Sequence, residues 1–304
     1  MTMGLESDYS DGVPHISYCL TALDGTVLAE DGADTAVYAA STIKLAVLVA
    51  VLRAVDAGRL TLDQELVSTL RFRSAAASGG FFEFEPGEID DGMPAAGRPA
   101  PLRDVLERMI TVSSNEATNM AVELVGLPAV AEALVLCGAP SSFMQRLFGD
   151  LDGLQEGLTQ QTTARDLCAM LRSIVTGSVL GPASTALAVS FLEAQQYGMI
   201  GPALPGAATW GSKSGWVTAI RHDVAVVRPV AAHPFVLAVC TRAYGEEEAT
   251  AVIAAVTRLA WQIVEAGALP AAEPTDGAEP LPADLPVDPL TAVTRLPAVP
   301  LLGR

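Results

Sequence analysis

The sequence contains very little lysine, cysteine or histidine. Only two of its 18 basic residues are lysine, Lys44 and Lys213, and 35 acidic residues give a net charge of −17. Affinity for nucleic-acid phosphates rests on clustered lysine and arginine, so this balance predicts no nucleic-acid partner. The four cysteines and three histidines show no CxxC, HExxH or comparable spacing. We therefore expect no metal, no other cofactor and reduced cysteines in the core.

Signals for export and for membrane insertion are also missing. The N-terminal stretch MTMGLESDYSDGVPH is acidic and lacks the basic start and apolar segment of a signal peptide. The apolar run after Ser41 is interrupted by Arg53, which leaves it too short to cross a bilayer. These features predict a cytoplasmic protein without a membrane span, and no obligate protein partner is evident from the sequence.

The chain is predicted to be an α+β protein whose sheet is built from both ends of the sequence. Residues 15–22 and 26–29 have strand character, and β-branched and aromatic residues return over 208–243. Residues 41–195 follow a helical pattern, and a last helix is expected over about 246–266. This order predicts an antiparallel sheet flanked by terminal helices, with an inserted all-helical lobe.

The same patterns divide the chain into parts. We predict a discontinuous sheet lobe over residues 15–36 plus 206–266. A helical lobe over residues 37–205 is predicted to carry Ser41 and Ser113, and a proline-rich tail over 267–304 is predicted to be extended or disordered. Residues 74–100 are rich in Gly, Ala and Pro around an acidic centre, FEFEPGEIDD, and are expected to form a long surface loop or lid. A cleft between two lobes is a usual place for a small-molecule site.

Lys44 follows Ser41 by three residues, inside an otherwise apolar run. On a helix the two side chains lie on one face, one turn apart. An arginine could not give up its proton, whereas a buried lysine amine can become neutral and take a proton from a hydroxyl. Ser41 falls at the expected helix start, where free N–H groups favour an oxyanion. The alternative is a surface serine and lysine on an amphipathic helix.

Two further short motifs each have a simple structural alternative. In VSSNEA, Ser113 and Glu116 also fit a helix-capping box, and Asn115 also fits a turn. In WGSKSGW, Lys213 lies in a strand-like stretch and also fits a solvated lysine at a sheet edge. Neither motif decides the function by itself.

The order of the three motifs is informative because both lysines of the protein fall within them. The motifs are Ser41-x-x-Lys44, Ser113-Ser114-Asn115 and Lys213-Ser214-Gly215. SxxK, SDN and KTG in this order are the signature of class A β-lactamases and penicillin-binding proteins. Over most of residues 15–266 the chain resembles this family, and YAASTIKLAVLVAVL, MITVSSNEATNMAVELVG and TTARDLCAMLRSIVTG are similar to stretches of class A enzymes. The resemblance implies a serine hydrolase that opens a β-lactam ring through an acyl-enzyme.

The resemblance also implies catalytic roles for individual residues. Ser41 is implied to be the acylated nucleophile, and Lys44 its general base or part of the proton relay. Ser113 is implied to pass a proton to the leaving nitrogen, beside the positive potential of Lys213. The backbone N–H groups of Ser41 and Trp216 are implied to form the oxyanion hole, where each donor supplies a few kcal/mol of transition-state stabilisation.

A second set of residues is implied to bind the substrate. Asn115 would hold the substrate amide, and Ser214 would bind the substrate carboxylate, with Arg221 as a second anchor. Gly215 and Trp216 continue this wall of the cleft. The substrate itself is a small molecule, and the sequence leaves open a β-lactam, a D-Ala-D-Ala peptide or a small ester.

The sequence departs from the family pattern in three places. Ser114 replaces the aspartate of SDN, and Trp216 is bulky where class A enzymes have a small residue. The family's RxExxxN-type loop carries the glutamate that activates the deacylating water, but here Phe148 stands two residues after Arg146. Candidates for a substitute carboxylate, among which the sequence does not choose, are Asp150, Asp152 and Glu156.

Three other functions compete with that of a β-lactam hydrolase. A Ser-His-Asp triad needs a GxSxG-type elbow, and GSKSG has lysine at its centre, so His222-Asp223 is better explained as a polar pair at a strand end. A sensor of β-lactams or peptidoglycan fragments would acylate without turnover, which fits the missing glutamate. Esterase or D-Ala-D-Ala peptidase activity could use the same site.

Overall fold

The computed structural model describes residues 4–85 and 87–267. Within these ranges, strands β1 to β14 are, in chain order, Glu6–Ser7, Ser10–Asp11, His15–Ala22, Val27–Asp31, Val37–Tyr38, Glu65–Val67, Arg71–Arg73, Phe81–Glu83, Pro99–Pro101, Phe143–Met144, Gln160–Thr162, Ala208–Val217, Ile220–Pro229 and Phe235–Arg242. Helices α1 to α8 are Lys44–Asp56, Leu102–Thr111, Asn115–Val125, Leu127–Leu136, Leu151–Gln155, Ala164–Val175, Pro182–Glu193 and Glu246–Gly267. Short 3₁₀ helices are Ala40–Ile43 and Gly201–Ala203. The expected tail lies outside the described residues from position 268 onward.

The main sheet has five antiparallel strands in the order β12-β13-β14-β3-β4. The two ends of the chain meet where β14 pairs with β3, with Leu237 opposite Leu20. The central strands read as continuous apolar runs because both of their faces are covered, by helix α6 on one side and α8 on the other. The prediction of an α+β fold with an antiparallel sheet is confirmed.

Helix α1 is the centre of the helical part. Its residues are buried without a break from Lys44 to Leu52, and it packs against α2, α3, α4, α6 and α7. A helix that is apolar on every side is stable only inside a core, since each buried aliphatic side chain contributes about 1.5–3 kcal/mol. The amine of Lys44 is therefore held at the N-terminal end of a helix that is buried from its first residue to Leu52.

Helix α8 covers the outer face of the sheet. By length and composition it could cross a membrane, but in this structure Ile253, Ala260 and Trp261 belong to a core cluster with sheet residues. The N-terminal end is a β1–β2 hairpin, bonded to the main body through Leu5 N–H and the Ala243 carbonyl at 3.0 Å. Of the terminal helices expected beside the sheet, the described residues contain only the C-terminal one, α8, and their N-terminal part forms a hairpin instead.

The segment expected to be a long loop over 74–100 is partly regular. Strand β8 pairs with β7, and the rings of Phe72, Phe82 and Phe84 pack together with centroids 5.7–6.2 Å apart. Strand β9 pairs with β6 at the other end. The paired strands hold the acidic part of the segment between two fixed ends.

Candidate active site

Ser41 lies in the one-turn 3₁₀ helix that leads into α1. The preceding residue, Ala40, has a φ of 46°, a left-handed conformation that is unusual for a residue with a Cβ. Thr42 fixes this turn by donating its hydroxyl to the Ala39 carbonyl at 2.6 Å. Ser41 is half-buried, whereas its neighbours Ala40 and Thr42 are buried. The turn therefore leaves the Ser41 side chain partly accessible to solvent.

Strand β12 passes very close to this turn. A Cβ built on Gly215 would lie 2.7 Å from the backbone nitrogen of Ser41 and 2.8 Å from that of Thr42. Both contacts are to backbone atoms, which cannot move aside as a side chain can. Glycine is therefore required at this position, and it allows strand β12 to approach the N–H groups at the start of the 3₁₀ helix.

Lys44 is fully buried and makes four hydrogen bonds, none of which runs to Ser41 within the described residues. Its Nζ donates to the Ser113 carbonyl at 2.6 Å and to Asn115 Oδ1 at 2.8 Å. Longer contacts reach Ser113 Oγ at 3.2 Å and the Ser114 carbonyl at 3.4 Å. Burial lowers the pKa of Lys44 well below its usual value, and the nearby Lys213 charge lowers it further against the attraction of Glu116.

These partners are compatible with a neutral amine. A neutral amine has two hydrogens and a lone pair, and the Ser113 carbonyl and Asn115 Oδ1 are acceptors that take the two hydrogens. The contact at 3.2 Å is to a hydroxyl, which can donate its hydrogen to the lone pair. The geometry therefore gives Lys44 a place for an incoming proton.

Lys213 approaches the same hydroxyl from strand β12. Its Nζ lies 3.1 Å from Ser113 Oγ and 2.7 Å from the carbonyl of Ser214. Burial lowers the pKa of Lys213 to about 7, although the charge of Asp223 acts in the opposite direction. The two distances allow Lys213 Nζ to donate to Ser113 Oγ while the Ser113 hydroxyl donates to the lone pair of Lys44.

Ser113 reaches both lysines because of its backbone. Its φ is 61°, and it lies between α2 and α3. The N-cap of α3 is Ser114, whose hydroxyl accepts from Ala117 N–H at 3.2 Å. The capping box considered for Ser113 and Glu116 is therefore not formed. The Glu116 carboxylate accepts instead from the backbone N–H of Asp90.

Phe148 covers Lys44 where the resemblance would place a carboxylate. The Lys44 Nζ lies 4.6 Å from the centroid of the Phe148 ring. The backbone of Phe148 is held by Asn119, which donates to its carbonyl at 2.8 Å and accepts from its N–H at 3.0 Å. Asn119 lies one helical turn after Asn115 on α3, a spacing from which its place beside the site could have been inferred.

None of the three candidate carboxylates is placed to replace the family's glutamate, because two accept other hydrogen bonds and the third is exposed on α5. Asp150 is fully buried, and its oxygens accept from the Ser74 hydroxyl, Ala75 N–H and Gly153 N–H at 2.7–3.0 Å, so it caps α5 and fixes the loop at residue 74. Glu156 is exposed and accepts from Ala77 N–H at 2.7 Å. Asp152 is exposed on α5. None of the three hydrogen-bonds to Lys44 or Ser113 in the described residues.

Of the two residues expected to bind a substrate carboxylate, Arg221 is already paired and Ser214 is buried. Arg221 forms an ion pair with Glu246 of α8 and a hydrogen bond to the Thr250 hydroxyl at 3.3 Å. The Ser214 hydroxyl is buried and has no hydrogen-bond partner among the described residues. Trp216 is 40% exposed and packs edge-on against Tyr197, with ring centroids 5.4 Å apart. The two rings form one exposed aromatic pair.

His222 and Asp223 take no part in a catalytic triad. His222 is buried in β13, and its Nε2 lies 2.9 Å from the Tyr38 carbonyl while Nδ1 accepts from Thr241 N–H at 3.2 Å. Burial lowers the pKa of His222 to about 4. Asp223 accepts from the N–H groups of Met199 and Ile200 at 2.7 and 2.8 Å. Both residues hold the fold together. The contact by which Asp223 fixes residues 199–200 joins segments that are distant in sequence, so no local pattern predicts it.

The chain is similar to several known proteins in sequence and in fold. A family model described as the β-lactamase enzyme family matches residues 6–264. A solved β-lactamase from Sphaerobacter thermophilus DSM 20745 has 24% identity and a TM-score of 0.67, and covers 81% of this chain and 89% of its own. PBP-A has 26% identity and a TM-score of 0.69 over 82% of this chain and 89% of its own.

Two further structures extend the comparison. L2 complexed with relebactam has 25% identity and a TM-score of 0.68, over 82% of this chain and 91% of that one. A leucine-to-glutamate variant of PBP-A has been solved as an acyl-enzyme complex with penicillin-G, with 26% identity and a TM-score of 0.69, over 82% of this chain and 89% of that one. No curated protein matches the sequence significantly.

Proposed function

Since the chain belongs to the β-lactamase enzyme family, we propose that it is a serine hydrolase that opens β-lactam rings through an acyl-enzyme on Ser41. The observation that carries the proposal is the Ser113 hydroxyl, held between two fully buried lysines at 3.2 and 3.1 Å. Two amines with lowered pKa values on either side of one hydroxyl form a path for protons. A purely structural site would have no need of such an arrangement.

Acylation begins with the loss of a proton from Ser41. The lone pair of neutral Lys44 takes this proton, directly or through Ser113, while Ser41 Oγ forms a bond to the carbonyl carbon of the lactam. The carbonyl π electrons move to its oxygen, and the backbone N–H groups of Ser41 and Trp216 receive the oxyanion. The tight passage of Gly215 against the 3₁₀ turn supports this pairing of donors from two elements.

Collapse of the tetrahedral intermediate breaks the carbon–nitrogen bond of the ring. Its electron pair stays on the nitrogen, which takes the Ser113 hydroxyl proton, and Ser113 is reprotonated from the lysine pair. Asn115 holds the amide of the substrate side chain, and Lys213 attracts its carboxylate. Arg221 can bind the substrate carboxylate only if its ion pair with Glu246, whose side chain is 76% exposed, is broken.

We propose that deacylation is slow. A hydrolytic water needs a base, and the side chain that lies beside Lys44 at the position of the family's glutamate is the Phe148 ring, which cannot accept a proton. The carboxylate nearest in sequence, Asp150, already accepts hydrogen bonds from three groups. A persistent acyl-enzyme follows from the absence of a suitable base on the 146–161 loop.

Mass spectrometry of the intact protein tests the proposal. After mixing with a chromogenic cephalosporin, we expect one covalent adduct per chain, absent in Ser41→Ala, and a burst of about one product per enzyme before a slow steady state. An adduct that persists in Ser41→Ala would refute the assignment of the nucleophile. Fast linear turnover without a burst would refute slow deacylation.

Covering of Lys44 by Phe148 also favours a second candidate function. A protein that is acylated and rarely hydrolysed could serve as a sensor of β-lactams or peptidoglycan fragments, or as a D-Ala-D-Ala peptidase whose natural substrate leaves a smaller adduct. Catalytic release of D-alanine from an acyl-D-Ala-D-Ala peptide would select the peptidase. Single acylation by penicillin, without turnover of peptides or small esters, would select the sensor.

A further inference from the structure

A cavity of about 420 Å³ adjoins the site beyond Ser113 and Asn115. One of its walls is the acidic segment 88–92, and another is formed by Gln196 and Tyr197. The mechanism proposed above uses the Ser113 and Asn115 edge of this cavity but none of the rest. A substituent of a substrate bound at Ser41 could extend into it.

The cavity is lined by four carboxylates and one guanidinium. The carboxylates belong to Glu88, Asp90, Asp91 and Glu116, and the guanidinium belongs to Arg108. Arg108 is already paired, since its Nε donates to Asp90 Oδ2 at 2.8 Å and its second nitrogen donates to Asp90 Oδ1. This bidentate ion pair occupies Arg108, and within the described residues none of the other three carboxylates forms a salt bridge, although Lys44 attracts Glu116 from a longer distance.

Glu116 distinguishes this cavity from an ordinary acidic surface. Its side chain is 1% exposed, and one carboxylate oxygen accepts from Asp90 N–H. The second oxygen, Oε2, is buried and has no hydrogen-bond partner among the described residues. A buried carboxylate oxygen without a donor costs free energy, so the site gains when a donor is supplied.

We propose that this cavity binds a cationic organic group of the substrate, an aliphatic ammonium or a guanidinium, through Glu116. The proposal rests on the proposed function, because it assigns a substituent to the substrate that acylates Ser41. An ammonium supplies the positive charge that Glu88 and Asp91 lack, and, when the buried Glu116 side chain turns towards it, the missing hydrogen bond to Oε2. A bound metal ion is a poorer match, since no group of three or more His, Cys, Asp or Glu residues in the described ranges could hold one.

Paired substrates test the proposal. One is a penicillin whose side chain carries a free amine, and the other is its N-acetyl derivative, which has the same ring and no charge. The rate constant for acylation of Ser41 should be about fivefold to tenfold larger for the amine, as expected for an ion pair that is partly removed from water. In Glu116→Gln, which can still accept from Asp90 N–H, the ratio should fall towards one.

Glu123→Gln is the matched control. Glu123 lies on the same helix α3 and is exposed, outside the cavity. This variant should keep the ratio of the wild type. Because the Glu116 charge also acts on the pKa of Lys44, the absolute rates in Glu116→Gln change for both penicillins, and the ratio of the two rates is the readout. An equal rate for the two penicillins in the wild type would overturn the proposal, as would an unchanged ratio in Glu116→Gln.

A binding measurement separates this inference from the proposed function. Ligand-observed NMR with n-butylammonium needs no acylation, and saturation transfer should be seen with wild type and Glu123→Gln and be weaker with Glu116→Gln. If neither penicillin acylates Ser41 but the cation binds in this pattern, the proposed function fails and the cation site stands. Binding of Ca²⁺ in place of n-butylammonium, or no binding of either, would overturn the cation site.

Discussion

Replacing Phe148 by glutamate places a carboxylate where the aromatic ring now covers Lys44. Phe148 is 7% exposed, so losing its ring removes about 2–3 kcal/mol of burial. At the present separation of 4.6 Å, a carboxylate would attract a charged Lys44 by roughly 4 kcal/mol at an effective dielectric constant of about 20. This attraction exceeds the lost packing, but taking two charges out of water costs free energy as well, so a net loss of stability remains. The attraction also raises the pKa of Lys44.

The two chemical steps should respond in opposite directions. A protonated Lys44 is a poor base, so acylation slows. A carboxylate in the cleft can activate water, and general-base catalysis is worth about 10²–10⁴-fold, so deacylation accelerates. In stopped-flow experiments with a chromogenic cephalosporin, the burst should therefore disappear and the steady-state rate should rise.

Phe148→Gln is the control, since it opens the same space without supplying a base. The lifetime of its adduct, followed by intact mass spectrometry, should stay long while that of Phe148→Glu becomes at least tenfold shorter. Equal lifetimes in the two variants would refute the reasoning that a missing carboxylate over Lys44 limits turnover. Melting temperatures of both variants show whether the fold has survived.

Three further predictions concern the rest of the site. Lys44→Arg should slow acylation almost as much as Lys44→Ala, at least 10²-fold, because a guanidinium cannot accept the proton; a variant that retains most of the acylation rate would rule out the base role. Acylation by a carboxylate-bearing penicillin should decline above about pH 7, where Lys213 loses its charge, and in Lys213→Arg this alkaline decline should vanish. Gly215→Ala should lower the rate constant for acylation more than tenfold and leave the affinity for the substrate almost unchanged, because its Cβ would meet the backbone nitrogen of Ser41 at 2.7 Å. Unchanged kinetics would show that the oxyanion pocket does not depend on this close approach.

The sequence was informative where local pattern decides the structure. The sheet strands at both chain ends and the buried helix after Ser41 follow from periodicity, and the motif order led to the family. The contacts that define the chemistry are long-range and could not be inferred: Lys44 bonds to the carbonyl of Ser113, and the Phe148 ring stacks over Lys44. Phe148 was noticed as a missing glutamate, but only the fold shows what its ring covers.

Other departures have the same physical origin. Glu116 has the spacing of a capping residue, but the backbone N–H of Asp90, far away in sequence, competes for its carboxylate. Arg221 was expected to meet a substrate, but the start of α8 brings Glu246 to it. Local spacing cannot rank such partners, because each depends on which distant segment packs beside the helix or strand.

Burial of Lys213 also affects how the stability of the folded chain depends on pH. The unfolded chain binds a proton at Lys213 up to its usual pKa of 10.5, and the folded chain only up to about 7. Between these values the unfolded state holds more protons, so the contribution of Lys213 to the free energy of unfolding rises with pH by about 1.4 kcal/mol per unit. Burial raises the pKa of thiols such as Cys240 to about 12. Above the pKa of a free thiol, these buried thiols make the free energy of unfolding fall with pH, which is opposite to the effect of Lys213.

In the difference between the unfolding free energies of wild type and Lys213→Met, the contributions of these thiols cancel. The variant should be the more stable protein near neutral pH, and its advantage should shrink as the solution becomes alkaline. The amine that draws substrate into the cleft is, for the folded chain alone, a source of instability that only alkaline solution relieves.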